Sequence, residues 1–411
     1  MDDVSAALRA AMVRELRALD AITSGSVERA VAAVPRHLFA PGEPLEAAYA
    51  ADHALVIKHD EDGTALSSLS SAHIQAVMLE QAAIEPGMRV LEVGSGGYNA
   101  ALMAELVGDS GRVFSVDIDA EIVDRARRCL DAAGYEHVEV VLGDAENGVA
   151  DAAPFDRIVV TAGAWDIPPA WAAQLATGGR MVVPLRLKGT TRSIAFEPGD
   201  EARGEGAAGT LTSVSYRLSG FVPMQGDGAY TEQVVHVGDD WALRVDVGAP
   251  RFDVARLRAA LEGQRVETWP GATFDLPDEL ELFLLASAPN MVLLHARDTL
   301  ISQGVFAPSA GRGVPVLVAE DGSFAYRTKR ENTATETGFE AGVLAHGPQA
   351  EHVADQYAQL LLHWARQHRR RGAATIRYIP TAAAPADPAG PTGRAEGLVP
   401  KRHGTVTVGW S

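Results

Sequence analysis

The 411-residue sequence predicts an α/β protein: a doubly wound, Rossmann-like parallel sheet with N-terminal helices, followed by a C-terminal α+β domain. Three observations carry this expectation. From Met88 to about Arg186, short apolar runs alternate with helical patterns, the texture of a parallel sheet covered on both faces. One run, Val90-Leu91-Glu92-Val93, ends in the glycine turn Gly94-Ser95-Gly96-Gly97 and feeds an apolar helix beginning Tyr98-Asn99-Ala100. The next run, residues 112–117, closes on an acid, Asp117, the placement that such sheets use to hold a nucleoside at their carboxyl ends.

The elements follow in order. Leu8, Met12, Leu16 and Leu19 share the face of a first helix, and Val27, Ala30, Val31 and Val34 mark a second that stops before Pro35. Residues 41–70 read as loop, with an acidic turn at Asp60-Glu61-Asp62-Gly63. Ile74, Val77, Met78 and Gln81 recur at helical spacing. Strands are expected at 89–93, 112–117, 138–142, 156–161 and 180–185, with helices at 98–107, 119–133 and 168–176. Ile122, Ala126, Cys129, Leu130 and Ala133 form the buried stripe of the second of these. Runs 192–197 and 211–218, separated by the Gly-rich acidic loop 198–209, suggest antiparallel strands closing the sheet.

After residue 230 the texture changes. Trp241, Leu243, Val245 and Val247 alternate with polar positions as in a half-buried strand. Helices are expected near 253–262, 278–287 and 348–371, the last with Val353, Tyr357, Leu360, Leu361 and Trp364 on one face. A hairpin turn is expected at Asp321-Gly322-Ser323. The domains are therefore read as 1–230 and 235–380, with an Ala/Pro linker at 381–395 and a terminal strand at 404–408.

A formal net charge of −18 argues against a nucleic-acid backbone or an anionic membrane as partner. The opening Met1-Asp2-Asp3 predicts no secretory leader, and no apolar run approaches a membrane span, so a cytoplasmic protein is expected. The single cysteine, Cys129, excludes an internal disulfide and reads as a buried structural thiol.

Residue chemistry narrows the ligand. A dinucleotide site wants glycine where this chain has Asn99. Glu92, two residues before the first glycine, would repel a pyrophosphate. S-adenosylmethionine is cationic at its ammonium and sulfonium, and its one carboxylate can meet the N–H groups at a helix start. Asp117 could equally be a turn residue at a strand end, as could Asp144 in its Gly-Asp pair. Ser67, Ser68, Ser70 and Ser71 crowd one loop, and one of them can instead cap the following helix. None of the 12 histidines shows metal-ligand spacing, so no metal is expected.

Val34-Pro35-Arg36-His37-Leu38-Phe39, Ala48-Tyr49-Ala50-Ala51-Asp52, Leu69-Ser70, Val90-Leu91-Glu92-Val93-Gly94, Gly143-Asp144-Ala145, Pro154 through Ala162, Ile167-Pro168-Pro169, Gly178 through Pro184 and Phe221-Val222-Pro223-Met224 fall in one order. In that order the first 225 residues resemble a protein-L-isoaspartate O-methyltransferase. The resemblance implies that Gly94, Ser95, Gly96 and Gly97 wrap the methionine end of S-adenosylmethionine, with S-adenosyl-L-homocysteine as product. It implies that Asp117 takes the ribose, that Ile118, Asp144 and Ala145 meet the adenine, and that Gln225 reaches the cofactor. It gives Ser70 the catalytic place, positioning the acceptor carboxylate. The partner it implies is a protein or peptide carrying Asp or isoAsp.

Three departures stand out. The glycine turn is one residue shorter than the family's usual form, the proline after the serine is Ala72, and a repair enzyme is expected to end near residue 225. These features resemble the FxLD-type lanthipeptide and graspetide-associated peptide aspartate methyltransferases. That likeness implies a cyclised ribosomal precursor peptide as substrate, whose methyl ester collapses to an aspartimide. A basic run, Arg366, Arg369, Arg370 and Arg371, could meet an acidic leader, or could simply complement the end of its helix. A general isoaspartyl repair enzyme with an added domain is the alternative, and a non-catalytic cofactor-binding partner a third reading. A side-chain carboxylate, with a pKa near ~4, is already an anion at neutral pH, so its methylation needs alignment more than a base.

Overall fold

The computed structural model describes residues 2–199, 209–246, 249–275, 277–381 and 397–410. They divide into two compact units, one of residues 1–186 and 191–230, the other of 187–190 and 231–411.

The first unit opens with α1 (Asp2–Ala18) and α2 (Gly25–Ala33). Met12 and Leu16 are buried as their spacing predicts, whereas Leu19 is 50% exposed, because the helix has already ended at Ala18. Ser24 caps α2 by accepting the Val27 amide, which satisfies one of the unpaired amides at a helix start. A short α3 (Leu45–Ala48) follows. Where a loop was expected, the chain forms an antiparallel hairpin of β1 (Leu55–His59) and β2 (Ala65–Leu69). The acidic turn is its bend: Asp60 Oδ1 accepts the amides of Asp62 and Thr64, an Asx turn. The hairpin is tied down by Lys58, whose Nζ lies 2.6 Å from both Asp119 and Glu121.

Helix α4 (Ala72–Ala82) is capped by Ser71. The sheet comprises β3 (Arg89–Val93), β4 (Arg112–Asp117), β5 (Glu139–Leu142), β6 (Phe155–Val160), β7 (Leu175–Leu187), β8 (Thr190–Pro198) and β9 (Leu211–Ser219). Their order is β9-β8-β7-β6-β3-β4-β5. Strands β7, β6, β3, β4 and β5 run parallel, and β8 pairs β9 antiparallel as expected. Val90, Leu91, Ile158, Val159, Val160, Met181 and Val182 have no exposed surface, the apolar run typical of strands covered on both faces. The connecting helices are α5 (Tyr98–Val107), α6 (Ala120–Ala133) and α7 (Pro169–Gln174). On α6, Ile122, Ala126, Cys129 and Leu130 are buried and Ala133 half-buried. Most of the expected loop 198–209 lies outside the described residues.

The second unit holds a seven-stranded sheet in the order β10-β11-β13-β14-β15-β16-β12. These strands are β10 (Gln233–His236), β11 (Trp241–Val245), β12 (Arg265–Ala272), β13 (Met291–Ala296), β14 (Val314–Val318), β15 (Phe324–Glu331) and β16 (Phe339–His346). The Asp321-Gly322-Ser323 turn joins β14 to β15 as expected. Helices α8 (Val254–Glu262), α9 (Pro277–Ser287), the short α10 (Asp298–Ser302) and α11 (Ala350–Gln367) belong to this unit. So do three further antiparallel strands, β17 (Thr375–Pro380), β18 (Gly397–Pro400) and β19 (Gly404–Gly409). Val247 and all of the expected linker except Thr381 lie outside the described residues. No helix among the described residues is long and apolar enough to cross a membrane.

Two arginines of the basic run at the end of α11 are paired within the unit. Arg369 forms a two-pronged bond to Asp275 and, with Arg370, meets Glu336. Arg369 is half-buried in its pair, whereas the Arg370–Glu336 pair is exposed to solvent. His346 is 2% exposed, with its ring against Phe324, Phe306 and Tyr326. Burial, with the Arg265 charge adding to it, pushes its pKa down to about 4. Burial and neighbouring His363 do the same to His368.

A histidine held neutral contributes stability that is complete above its unfolded pKa of ~6.5 and is lost as pH falls toward the folded value. The denaturation midpoint should therefore hold from pH 8 to 7 and fall between about pH 6.5 and 4. His346→Phe, which keeps a flat apolar ring in the same layer, should flatten that decline; a chemical-denaturation series across pH measures it.

Candidate active site

The site is assembled by register. Val93 pairs with Val116 on one side and Val160 on the other, and Asp117 pairs with Leu142. Gly94, Asp117, Gly143-Asp144 and Thr161 therefore emerge side by side at the carboxyl ends of β3, β4, β5 and β6. This is where the direction of the sheet's winding switches and where open α/β sheets bind ligands. Gly94 turns the chain with φ +95°, and a Cβ there would meet Thr161 Oγ1 at 2.6 Å. Only glycine suits that position.

Here the chain forms a cleft that is partly open to solvent. Of the residues expected at a cofactor site, Gly94, Ser95, Gly96, Asp117, Ile118, Asp144, Ala145 and Gln225 line it. Two expected residues stand outside the lining. Gly97 starts α5 with φ +81°, and a Cβ there would lie 3.1 Å from Phe39, so its part is to pack the helix start. Ser70 is half-buried beside the wall, while Ser67 and Ser68, on the hairpin, line the cleft. Ser71 is the helix cap, which leaves Ser67, Ser68 and Ser70 for the acceptor side.

The electrostatics are acidic throughout. Asp117 Oδ2 accepts the Ser95 amide at 2.8 Å and Oδ1 the Asp119 amide at 3.0 Å. Burial raises the Asp117 pKa against those hydrogen bonds, yet its carboxylate keeps spare lone pairs facing the cleft. Asp144 caps a short turn through the Glu146 amide and holds the Asp227 amide at 2.8 Å. Trp171 Nε1 donates to Ala145 O, fixing the same turn from behind. Glu92 does not face the ligand as the sequence suggested. It is wholly buried, hydrogen-bonded to Ser115, and burial raises its pKa to about 7. The acids that line the cleft are Asp117 and Asp144. Among the described residues no lysine, arginine or histidine lines the cleft.

Two segments cover it. Gly163 exchanges backbone hydrogen bonds with Val222 and Met224, which lays Val222–Gln225 across the mouth. From there the Gln225 side chain donates to Leu66 O on the hairpin at 3.3 Å. Sequence reading missed Leu66 and the hairpin because its strands are half polar; the Asp-Gly turn was the available signal. It also gave Arg36 no role. That guanidinium is fully buried, and donates from Nε to Ala48 O, from Nη1 to Gln75 Oε1 and from Nη2 to Ser70 O.

An acid-lined, cation-free cleft at these strand ends fits a cationic nucleoside, and the class it defines is the S-adenosylmethionine-dependent methyltransferase. Residues 7–216, half of the chain, match the model of the protein-L-isoaspartate(D-aspartate) O-methyltransferase family, and the chain belongs to that family. It is 44% identical over 173 residues to the protein-L-isoaspartate O-methyltransferase of Methanothrix thermoacetophila, covering 42% of this chain and 79% of that one. Against the enzyme of Methanopyrus kandleri it is 41% identical over 186 residues, 45% and 79% of the two chains. A solved protein-L-isoaspartate O-methyltransferase structure aligns at 21% identity and a TM-score of 0.49, over 90% of this chain and 96% of that one.

Asp117→Asn should weaken S-adenosylmethionine about 10- to 100-fold, the worth of charge-assisted hydrogen bonds. Titration calorimetry checks it. Gly94→Ala should cost about 1–3 kcal/mol of stability through backbone strain and the Thr161 contact, read as a lowered melting temperature together with loss of cofactor binding.

Proposed function

We propose that this protein methylates the free carboxylate of an L-isoaspartyl residue in a protein or peptide. The observation that carries this reading is a cofactor cleft that needs no general base. Bound S-adenosylmethionine supplies an electrophilic methyl on its sulfonium. Gly94, Ser95 and Gly96 would hold its methionine end, Asp117 its ribose, and Ile118, Asp144 and Ala145 its adenine. The acceptor carboxylate is a nucleophile already ionised at neutral pH. What remains for the protein is alignment and exclusion of water. The hairpin and the Val222–Gln225 segment cover the cleft, and the hydroxyls of Ser67, Ser68 and Ser70 are available to orient a carboxylate. An acidic cleft also disfavours acceptors bearing more than one negative charge.

The narrower expectation, methylation of an ordinary aspartate in a cyclised precursor peptide, rests on the shorter glycine turn at Gly94–Gly97, on the missing proline at Ala72 and on the chain beyond residue 225. In that reaction the next residue's amide nitrogen would attack the methyl ester and expel methanol, leaving an aspartimide. The commitment of Arg369 and Arg370 to Asp275 and Glu336 removes part of the support for a leader-binding role. The relatives are protein-L-isoaspartate enzymes, which favours the isoaspartyl acceptor.

Mass spectrometry of peptide pairs separates the two. Gain of one methyl on a linear isoaspartyl peptide, with none on its aspartyl twin, is the expected result. Methylation and then loss of methanol only on the cyclised precursor peptide would overturn it. Ser70→Ala should lower kcat/KM at least about tenfold while leaving S-adenosylmethionine binding intact.

A further inference from the structure

Arg36 is a buried cation whose partners include no carboxylate. Its side chain reaches two backbone carbonyls, Ala48 O and Ser70 O, and the amide oxygen of Gln75, at 2.6–2.8 Å. The guanidinium also lies over the Tyr98 ring, 4.7 Å from its centre. Burying such a charge without an ion partner is costly, and burial pulls the Arg36 pKa below its ordinary value. A structural filler would not need that charge. What the planar fork can do, and a neutral side chain cannot, is hold several acceptors in one fixed geometry.

Two of these contacts, Ser70 O and the Tyr98 ring, adjoin segments that line the cleft. Ser70 O belongs to the segment that follows the cleft-lining Ser67 and Ser68. Tyr98 is the first residue of α5, directly after Gly97, and is itself fully buried against Phe39. One rigid side chain thus connects the acceptor-side serine segment with the glycine turn on the cofactor side.

We propose that Arg36 is a positioning residue that registers the 66–70 segment against the glycine turn, so that acceptor and methyl donor meet in line. This rests on the isoaspartyl reading above and on the serine segment being the acceptor side. Misplacement by about 1 Å costs on the order of 100-fold in rate, so the effect should appear in kcat rather than in cofactor binding.

The test uses the full chain with Arg36→Met, Arg36→Lys and Gln75→Glu. It measures melting temperature, S-adenosylmethionine affinity, kcat and KM on an isoaspartyl peptide, and hydrogen exchange of the 66–71 amides. Arg36→Met should lose about 100-fold in kcat with cofactor affinity unmoved. Arg36→Lys, which keeps the charge and three donors but lacks the planar fork, should recover part of it. Gln75→Glu keeps the acceptor and adds a counter-charge, so near-normal kcat there supports placement as the role. In both Arg36 variants the 66–71 amides should exchange faster while those of 94–97 do not.

A folded Arg36→Met with normal kcat would overturn the proposal. So would cofactor affinity falling in parallel with kcat, or Gln75→Glu as damaging as Arg36→Met, which would make the charge itself the active feature. Should Arg36→Met not fold, Arg36→Lys carries the same comparison. A wild-type chain silent on isoaspartyl peptide would fail the proposed function alone, since the exchange pattern still decides the placement.

Discussion

The 2.8 Å hydrogen bond from the Ser95 amide to Asp117 Oδ2 sets the geometry of the whole ligand face. Backbone leaving a strand through a glycine turn has unpaired amides and considerable freedom. Here one of those amides is taken by the acid at the end of the adjacent strand, so the turn and the carboxylate are placed relative to each other. The parallel register of β3 with β4 and β6 then brings Asp144 and Thr161 to the same height. Thr161 Oγ1 in turn donates to Val93 O and Gly94 O. Each neighbour strand thus restrains the turn from its own side.

Charge is distributed with a consistent logic. The carboxylates that face the cleft are Asp117 and Asp144, both already engaged by backbone amides, which keeps them oriented and limits the cost of their burial. Glu92 is held under the turn, where desolvation moves it toward neutrality. The cation, Arg36, is kept out of the lining and spends its donors on two backbone carbonyls and the side-chain amide of Gln75. A cationic, phosphate-free nucleoside and a singly charged acceptor suit that pattern, whereas a polyphosphate does not.

The second unit is a body with its own aromatic core, where Trp241, Phe306, Phe324 and Tyr326 pack with His346. In its basic segment Arg369 and Arg370 are paired internally, with Asp275 and Glu336. Charge runs in a sequence carry no information about their partners, because ion pairs such as Arg369–Asp275 join residues far apart in the chain.

Much of the first unit was legible in the amino-acid order. Apolar period, glycine turns and strand-end acids are local signals, and they located β3 through β6, the glycine turn, Asp117 and Asp144. The helix caps Ser24 and Asp119 follow the same local rules. Tertiary structure alone decided the rest. The β1–β2 hairpin is tied to the start of α6 by the Lys58 ion pairs, which no local pattern reports. Which serine faces the cleft depended on Ser71 being consumed as a cap. Leu19 is exposed because its helix ends one residue earlier. Arg36 shows the division most plainly. By itself it reads as one arginine in a short motif, and its meaning comes from a fold that buries it between Ser70, Ala48, Gln75 and Tyr98, where a cation without a carboxylate can be held only by the carbonyls it organises.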